Sequence, residues 1–162
     1  MIRVNNFLAI VFAAVLLLAG CAGVRNSYES MLDAGTAADK PVMTLKVGER
    51  SEILAIGDGF PGWWGYYPGF VSLNSDVATI TCEAGRGFIP FREPGVIFGG
   101  ETCYIEALKV GVAWLLKGNR HTFYNVLKNT DLSKFSAGES FPPRPKHVEM
   151  LIKVKTVPAS ER

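Results

Sequence analysis

The sequence predicts an all-β fold of the β-sandwich type, and three observations support this prediction. Short segments alternate between apolar and polar residues with the period of two that a half-buried strand requires. Glycine and proline separate these segments, and no amphipathic helix of ten or more residues is found. The clearest alternation lies in "HVEMLIKVKTV", where one face carries Val148, Met150, Ile152 and Val154 and the other carries Glu149, Lys153 and Lys155.

The chain begins with an apolar segment that has the layout of a secretory signal peptide. A single basic residue, Arg3, precedes twelve apolar residues at 7–18, and the small residues Ala19 and Gly20 follow. Twelve residues are short for a transmembrane helix, which needs about twenty, and a core helix would show a polar face. We therefore expect residues 1–20 to be removed on export, with a short membrane helix or a buried core helix as the alternatives.

The residues "LAGC", at positions 18–21, close this segment. They resemble the lipobox of bacterial lipoproteins at all four positions. The resemblance implies that the Cys21 thiol receives a diacylglyceryl group, that the chain is cut before Cys21 and that the new amino group is acylated. Ala22 follows rather than Asp, which by analogy with the sorting rule of enteric bacteria favours the outer membrane. We expect a protein of the bacterial cell envelope, held by its N-terminal lipid and facing the periplasm or the cell surface.

Two further cysteines, Cys82 and Cys103, remain once Cys21 is assigned to the lipid. Export places them in a compartment that permits disulfides, so we predict a bond between them. A closed loop of this length stabilises the fold by roughly 3 kcal/mol in the chain-entropy model. Two free buried thiols are the alternative. A metal site is disfavoured, because neither cysteine has a Cys or His at ligand spacing and His121 and His147 are isolated.

The segment after the lipobox is small, polar and weakly patterned. We expect residues 21–41 to form the lipidated N-terminus and a flexible tether. Twenty flexible residues reach about 25 Å, which would lift the domain clear of the lipid headgroups. The folded domain is then predicted at residues 42–158, followed by a disordered tail at 159–162.

The predicted strands begin with "MTLKVGE", in which Met43, Leu45 and Val47 share one face. The segments "SEILAIG", "FVSLNSDVATITC" and "CYIEALKVGVAWLL" follow in order. A helix is favoured only for "TFYNVLKNTDL", although its Asn and Thr residues lower the helix propensity. The proline-rich "SFPPRPKH", residues 140–147, is expected to lead into the last strand as an extended chain.

Three pieces resemble, in order, the group 2 bacterial Ig-like domains. They are "LKVGE" at 45–49, "NSDVATI" at 74–80 and "IEALKVGVAWLL" at 105–116. The resemblance implies an Ig-like β-sandwich with tight turns at Gly48 and Gly111. The chain departs from the family pattern by two insertions, one at 83–102 and one at about 117–146. The side chains expected to face the sandwich interior are Ala78, Ile80, Leu108, Val110 and Val112.

The segment "GDGFPGWWGYYPGF", residues 57–70, is too rich in glycine and proline for a regular strand and is predicted to be a loop. Trp and Tyr on a loop suit glycan stacking or a protein hot spot. Packing of these rings inside the sandwich is the alternative. The second loop, between the two cysteines, reads as a partner site or as a packed hairpin. The candidate binding residues are Phe60, Trp63, Trp64, Tyr66 and Tyr67.

Charge and motifs narrow the function classes. Without residues 1–20 the chain carries 16 Lys and Arg against 15 Asp and Glu, a net charge of +1, which gives no electrostatic footprint for nucleic acid. No nucleophile motif, phosphate loop or calcium loop is present. We predict a non-enzymatic binding or accessory protein that contacts an envelope protein or a glycan, without cofactor or metal. The alternatives are a structural subunit of an envelope assembly and a protein inhibitor or immunity-type lipoprotein.

Overall fold

Two four-stranded sheets pack face to face in the computed structural model. The structure describes residues 23–57, 65–85, 100–135 and 140–159. The predicted lipid site Cys21 and the loop residues Phe60, Trp63 and Trp64 lie outside the described residues. None of the helices in the described part is long and apolar enough to cross a membrane.

The first sheet is antiparallel throughout. Its strands are β1 (Val24–Asn26), β3 (Arg50–Ile56), β6 (Glu101–Ala107) and β5 (Ala78–Ala84), in that spatial order.

The second sheet contains β2 (Val42–Lys46), β8 (Val148–Val157), β7 (Gly111–Asn119) and β4 (Pro68–Ser72), in that order. β2 runs parallel to β8, and the other neighbours are antiparallel. The predicted all-β sandwich is confirmed.

The sandwich interior follows the alternation seen in the sequence. Met43 and Leu45 of β2 and Ile152 and Val154 of β8 point inward and are almost fully buried. On the facing sheet Ile105 of β6 is also fully buried. Burying one such side chain contributes about 1.5–3 kcal/mol, so this interior is the main source of stability. The core also contains Tyr28, Ile53, Leu54, Ile56, Tyr67, Phe70, Val77, Ala78, Cys103, Ala107, Ala113 and Leu115.

A second core lies on the outer face of the β2-β8-β7-β4 sheet. Trp114 and Leu116 of β7 point to this face and are buried, 1% and 0% exposed. The α-helix α1 (Phe123–Asn129) and a 3₁₀ helix (Leu132–Phe135) cover them. The second predicted insertion is therefore largely a cover for a second apolar layer. This cover also explains why Lys153, predicted on the solvent face, is only 5% exposed and lies over the Trp114 ring.

The predicted flexible tether is wrong for residues 23–32. β1 pairs with β3, and the next residues form a 3₁₀ helix (Tyr28–Met31) whose Tyr28 is 2% exposed. Tyr28 packs edge-on against Phe70, and Leu32 bridges to β2. The chain thus enters the sandwich at residue 23, because these apolar side chains fill its interior.

The predicted interior positions of Leu108 and Val110 are also wrong. These residues form the turn between β6 and β7, and they are 46% and 53% exposed. The predicted interior position of Val112 is wrong as well, because Val112 is half-buried against the second core on the outer face of its sheet. Ala78 is fully buried, as expected. The tight turn at Gly48 is confirmed, since its φ of +84° is a conformation that favours glycine.

The two ends of the sandwich differ in what they carry. The end that contains Gly23, Gly57, Pro68, Glu101 and Asn119 is named the N-terminal pole. The opposite end, formed by the turns at 47–49, 73–77 and 108–110, is named the distal pole. The nine residues of β7 connect the two poles over about 27 Å.

The packing of Tyr28 gives a direct test of where the domain begins. Tyr28→Ala is expected to lower the free energy of unfolding by about 3–5 kcal/mol, because it empties a buried aromatic site. Urea unfolding measures this loss. The neighbouring exposed Ser30→Ala is the control and should change stability by less than about 0.5 kcal/mol. Equal, small effects of both substitutions would support a tether instead.

Candidate functional site

The N-terminal pole gathers the ends of both loops that the sequence singled out. Segment 58–64 joins the described chain at Gly57 and Gly65, and segment 86–99 joins it at Gly85 and Gly100. Ile56 and Ala84 both pair with Glu101, which places these ends side by side on the first sheet. The described residues that flank the two segments therefore lie at the same end of the sandwich.

The predicted disulfide is confirmed. Cys82 of β5 and Cys103 of β6 are direct cross-strand partners with Cα atoms 4.0 Å apart, and their sulfur atoms are bonded. The alternative of two free thiols is thereby excluded. Glu101 lies beside the two sulfurs, in an arrangement that could suggest a metal centre. Because the sulfurs are bonded to each other, they offer no thiolate ligands for zinc.

Arg120 closes the pole from the second sheet. Its guanidinium binds the Glu101 carboxylate through two contacts, Nη1 to Oε1 at 3.0 Å and Nη2 to Oε2 at 2.8 Å. The same Nη2 lies 3.5 Å and 3.7 Å from the sulfurs of Cys82 and Cys103. The Glu101 side chain is only 9% exposed, so this charge depends on Arg120 for compensation. One side chain thus links the end of β7 to β6 and to the disulfide.

Asn119 fixes the end of the aromatic loop next to this ion pair. Its Oδ1 accepts hydrogen bonds from the backbone N–H groups of Tyr67 (3.1 Å) and His121 (3.2 Å). Its Nδ2 donates to the carbonyl oxygen of Gly65 at 2.8 Å. The Arg120 backbone N–H donates to the Tyr67 carbonyl at 2.7 Å. Residues 65–67 are therefore held rigidly, and the loop leaves the sandwich from a fixed position.

A polar cluster supports Tyr66 on the other side of the pole. Burial and a hydrogen bond to the Glu149 carboxylate raise the pKa of the Tyr66 phenol to about 12. The Lys117 ammonium lies 3.3 Å from the same carboxylate. Burial lowers the pKa of Lys117, but its contacts with Tyr28 and Glu149 more than offset this and leave the pKa raised. Tyr66 is therefore neutral and Lys117 charged at neutral pH.

The five candidate binding residues divide into three groups. Phe60, Trp63 and Trp64 lie outside the described residues. Tyr66 is 37% exposed and is available for contact. Tyr67 is 5% exposed, because its ring packs under Arg120 and against His121, so its proposed contact role is wrong. Phe70, at the end of the same segment, is a core residue.

A groove of about 720 Å³ opens beside the pole, between α1 and residues 143–147. Thr122 and His147 line it near the end of the sandwich. Lys134, Arg144 and Lys146 also line it, against a single acid, Asp131. No pattern in the sequence predicts this groove. The only local signal is the pair of basic residues in "RPKH". Lys134 precedes this segment in the chain and lines the same groove only in the folded protein.

Arg120 and Asn119 were also missed by the sequence analysis. Both lie in "GNRH", which contains no motif, and their partners are far apart along the chain. Asn119 meets its partners through the pairing of β4 with β7, which brings Pro68 opposite Asn119. Arg120 meets Glu101 through the packing of the two sheets.

Comparison with known proteins gives no family. No protein-family model and no curated protein matches the chain. Among solved structures, the chain is similar to domains 4 and 5 of the S-layer protein SbsC at 7% identity, with a TM-score of 0.35. The match covers 84% of this chain and spans about half, 53%, of that one. The solution structure of amebosin is similar at 18% identity over 72% of this chain and 88% of that chain, with a TM-score of 0.35.

The Arg120–Glu101 pair is expected to stabilise the pole measurably. Arg120→Met should cost about 2–3 kcal/mol, because it leaves a buried carboxylate without its partner. Denaturant unfolding of the oxidised protein checks this value. Combining it with Glu101→Gln should recover part of the loss, since the uncompensated charge is removed.

The matched control is Arg50→Met. Arg50 pairs with Glu83, but both side chains are exposed, 44% and 61%. The loss of stability should be clearly smaller than that of Arg120→Met, because an ion pair between exposed side chains contributes little. A loss as large as that of Arg120→Met would contradict the special role of the pole.

Proposed function

We propose that this chain is a lipid-anchored protein of the bacterial cell envelope that acts as a non-enzymatic binding or accessory module. The lipobox resemblance at 18–21 and the signal-peptide layout of residues 1–20 support the anchor and the export. The disulfide fits an oxidising compartment, where such bonds persist. An outer-membrane location rests on Ala22 after the lipobox cysteine.

The observation that best supports a binding role is that the described residues flanking both segments, 58–64 and 86–99, lie together at the N-terminal pole. β-sandwich proteins commonly bind through loops gathered at one end, where a rigid framework presents variable segments. Here the framework is built from the disulfide, the Arg120–Glu101 pair and the Asn119 hydrogen bonds. The loop that it holds carries Trp63 and Trp64, residue types with large contact area and a polar handle.

The proposed partner is an envelope protein or a glycan such as peptidoglycan. Tyr66, held by Glu149 and still 37% exposed, supports contact at this end of the loop. Fixing an aromatic side chain before binding lowers the entropy cost of association.

Crosslinking in intact envelopes, followed by pull-down, tests the proposed contact. The wild-type chain is expected to recover a defined protein or glycan partner. The double variant Trp63→Ala/Trp64→Ala should recover several-fold less, because the aromatic contact area is lost. Val110→Ala at the distal pole is the control, since it also removes an exposed apolar side chain. Unchanged recovery with the double variant, at unchanged stability, would exclude the loop as the contact.

A further inference from the structure

The connection between the proposed lipid site and the sandwich is short. The carbonyl oxygen of Gly23 accepts a hydrogen bond from the Gly57 N–H at 2.9 Å, and β1 starts at Val24. Cys21 precedes Gly23 by two residues, and two extended residues span at most about 7 Å. A lipid on Cys21 would therefore hold the N-terminal pole at the headgroup layer, with the distal pole pointing away.

The exposed side chains near this pole suit a headgroup layer. Tyr66 precedes β4, and Tyr124, the second residue of α1, is 74% exposed. His121 is also exposed, directly after the end of β7. Tyrosine is enriched at the membrane–water interface, because its ring is apolar and its hydroxyl remains hydrated.

The charges beside the pole suit an anionic lipid surface. The groove between α1 and residues 143–147 carries Lys134, Arg144 and Lys146 against Asp131. The rest of the mature chain is close to neutral, so this excess is local. Clusters of Lys and Arg next to a membrane anchor are attracted to anionic headgroups.

We propose that the N-terminal pole is a membrane-contacting surface that binds the headgroup layer of the bilayer holding the lipid anchor. This inference rests on the lipid anchor of the proposed function and narrows the partner. A protein or glycan that binds the aromatic loop must then lie at the membrane surface. The distal pole, with the exposed Leu108 and Val110, faces away from the bilayer.

Depth-dependent fluorescence quenching tests this orientation in the full lipidated chain. His121→Cys and Val110→Cys introduce thiols beyond the two ends of β7, about 30 Å apart. The native Cys82 and Cys103 are bonded to each other, and Cys21 is occupied by lipid, so a thiol-reactive fluorophore labels the new site. The protein is reconstituted into vesicles of phosphatidylethanolamine and phosphatidylglycerol containing a lipid with a nitroxide on its headgroup.

The expected result is quenching at residue 121 that is several-fold stronger than at residue 110. Equal quenching, or stronger quenching at 110, would overturn the inference while leaving the anchor intact. Flotation of the same samples separates the two claims. A chain that does not float with the vesicles would overturn the lipid anchor and the inference together.

A spacer variant distinguishes binding from simple proximity. About twenty Gly and Ser residues inserted after Ala22 give the domain a reach of about 25 Å. If the pole binds the headgroups, quenching at 121 stays well above that at 110 in this variant. Equal quenching at the two sites in the spacer variant would overturn the pole as a lipid-binding surface.

Discussion

The N-terminal pole depends on one ion pair that lies against a disulfide, between the half-buried Arg120 and the buried Glu101. Arg120 comes from the end of β7 in one sheet, and Glu101 begins β6 in the other, so their contact joins the two layers at this end. The Cys82–Cys103 bond beside them ties β6 to the edge strand β5. The junction therefore ties together the strand ends that carry both segments, and a binding surface benefits from such a fixed framework.

The point at which the chain enters the fold determines how closely a lipid anchor would hold the domain. Because β1 pairs with β3 and Tyr28 fills the interior, the domain begins two residues after Cys21 rather than twenty. A lipid anchor at Cys21 would then fix the orientation of the sandwich as well as its location. The exposed tyrosines and the basic groove would then both lie on the membrane side.

Local sequence patterns predicted most of the strands. The features that they did not predict depend on contacts between residues far apart in the chain. The alternation in β2 and β8 is a local signal, and the disulfide followed from cysteine parity and export. β1 has only three residues, too few to show a detectable alternation. The spacing of Tyr28, Met31 and Leu32 is the one local sign that the next segment packs on the core. The interior positions predicted for Leu108 and Val110 are wrong because these residues form a turn, in which the alternation of the strands does not continue. The Arg120–Glu101 pair left no local signal, since its members meet only through the sandwich.

The central claim is that the folded domain begins at Gly23. Native-state hydrogen exchange of the Ser27 and Gly57 amides tests it most directly. The Ser27 N–H donates to the Ile53 carbonyl at 3.1 Å, and the Gly57 N–H donates to the Gly23 carbonyl at 2.9 Å. Both amides are predicted to be protected well above the exposed turn residue Ala38. Exchange of both at the rate of an unstructured peptide would contradict the account and restore the flexible tether.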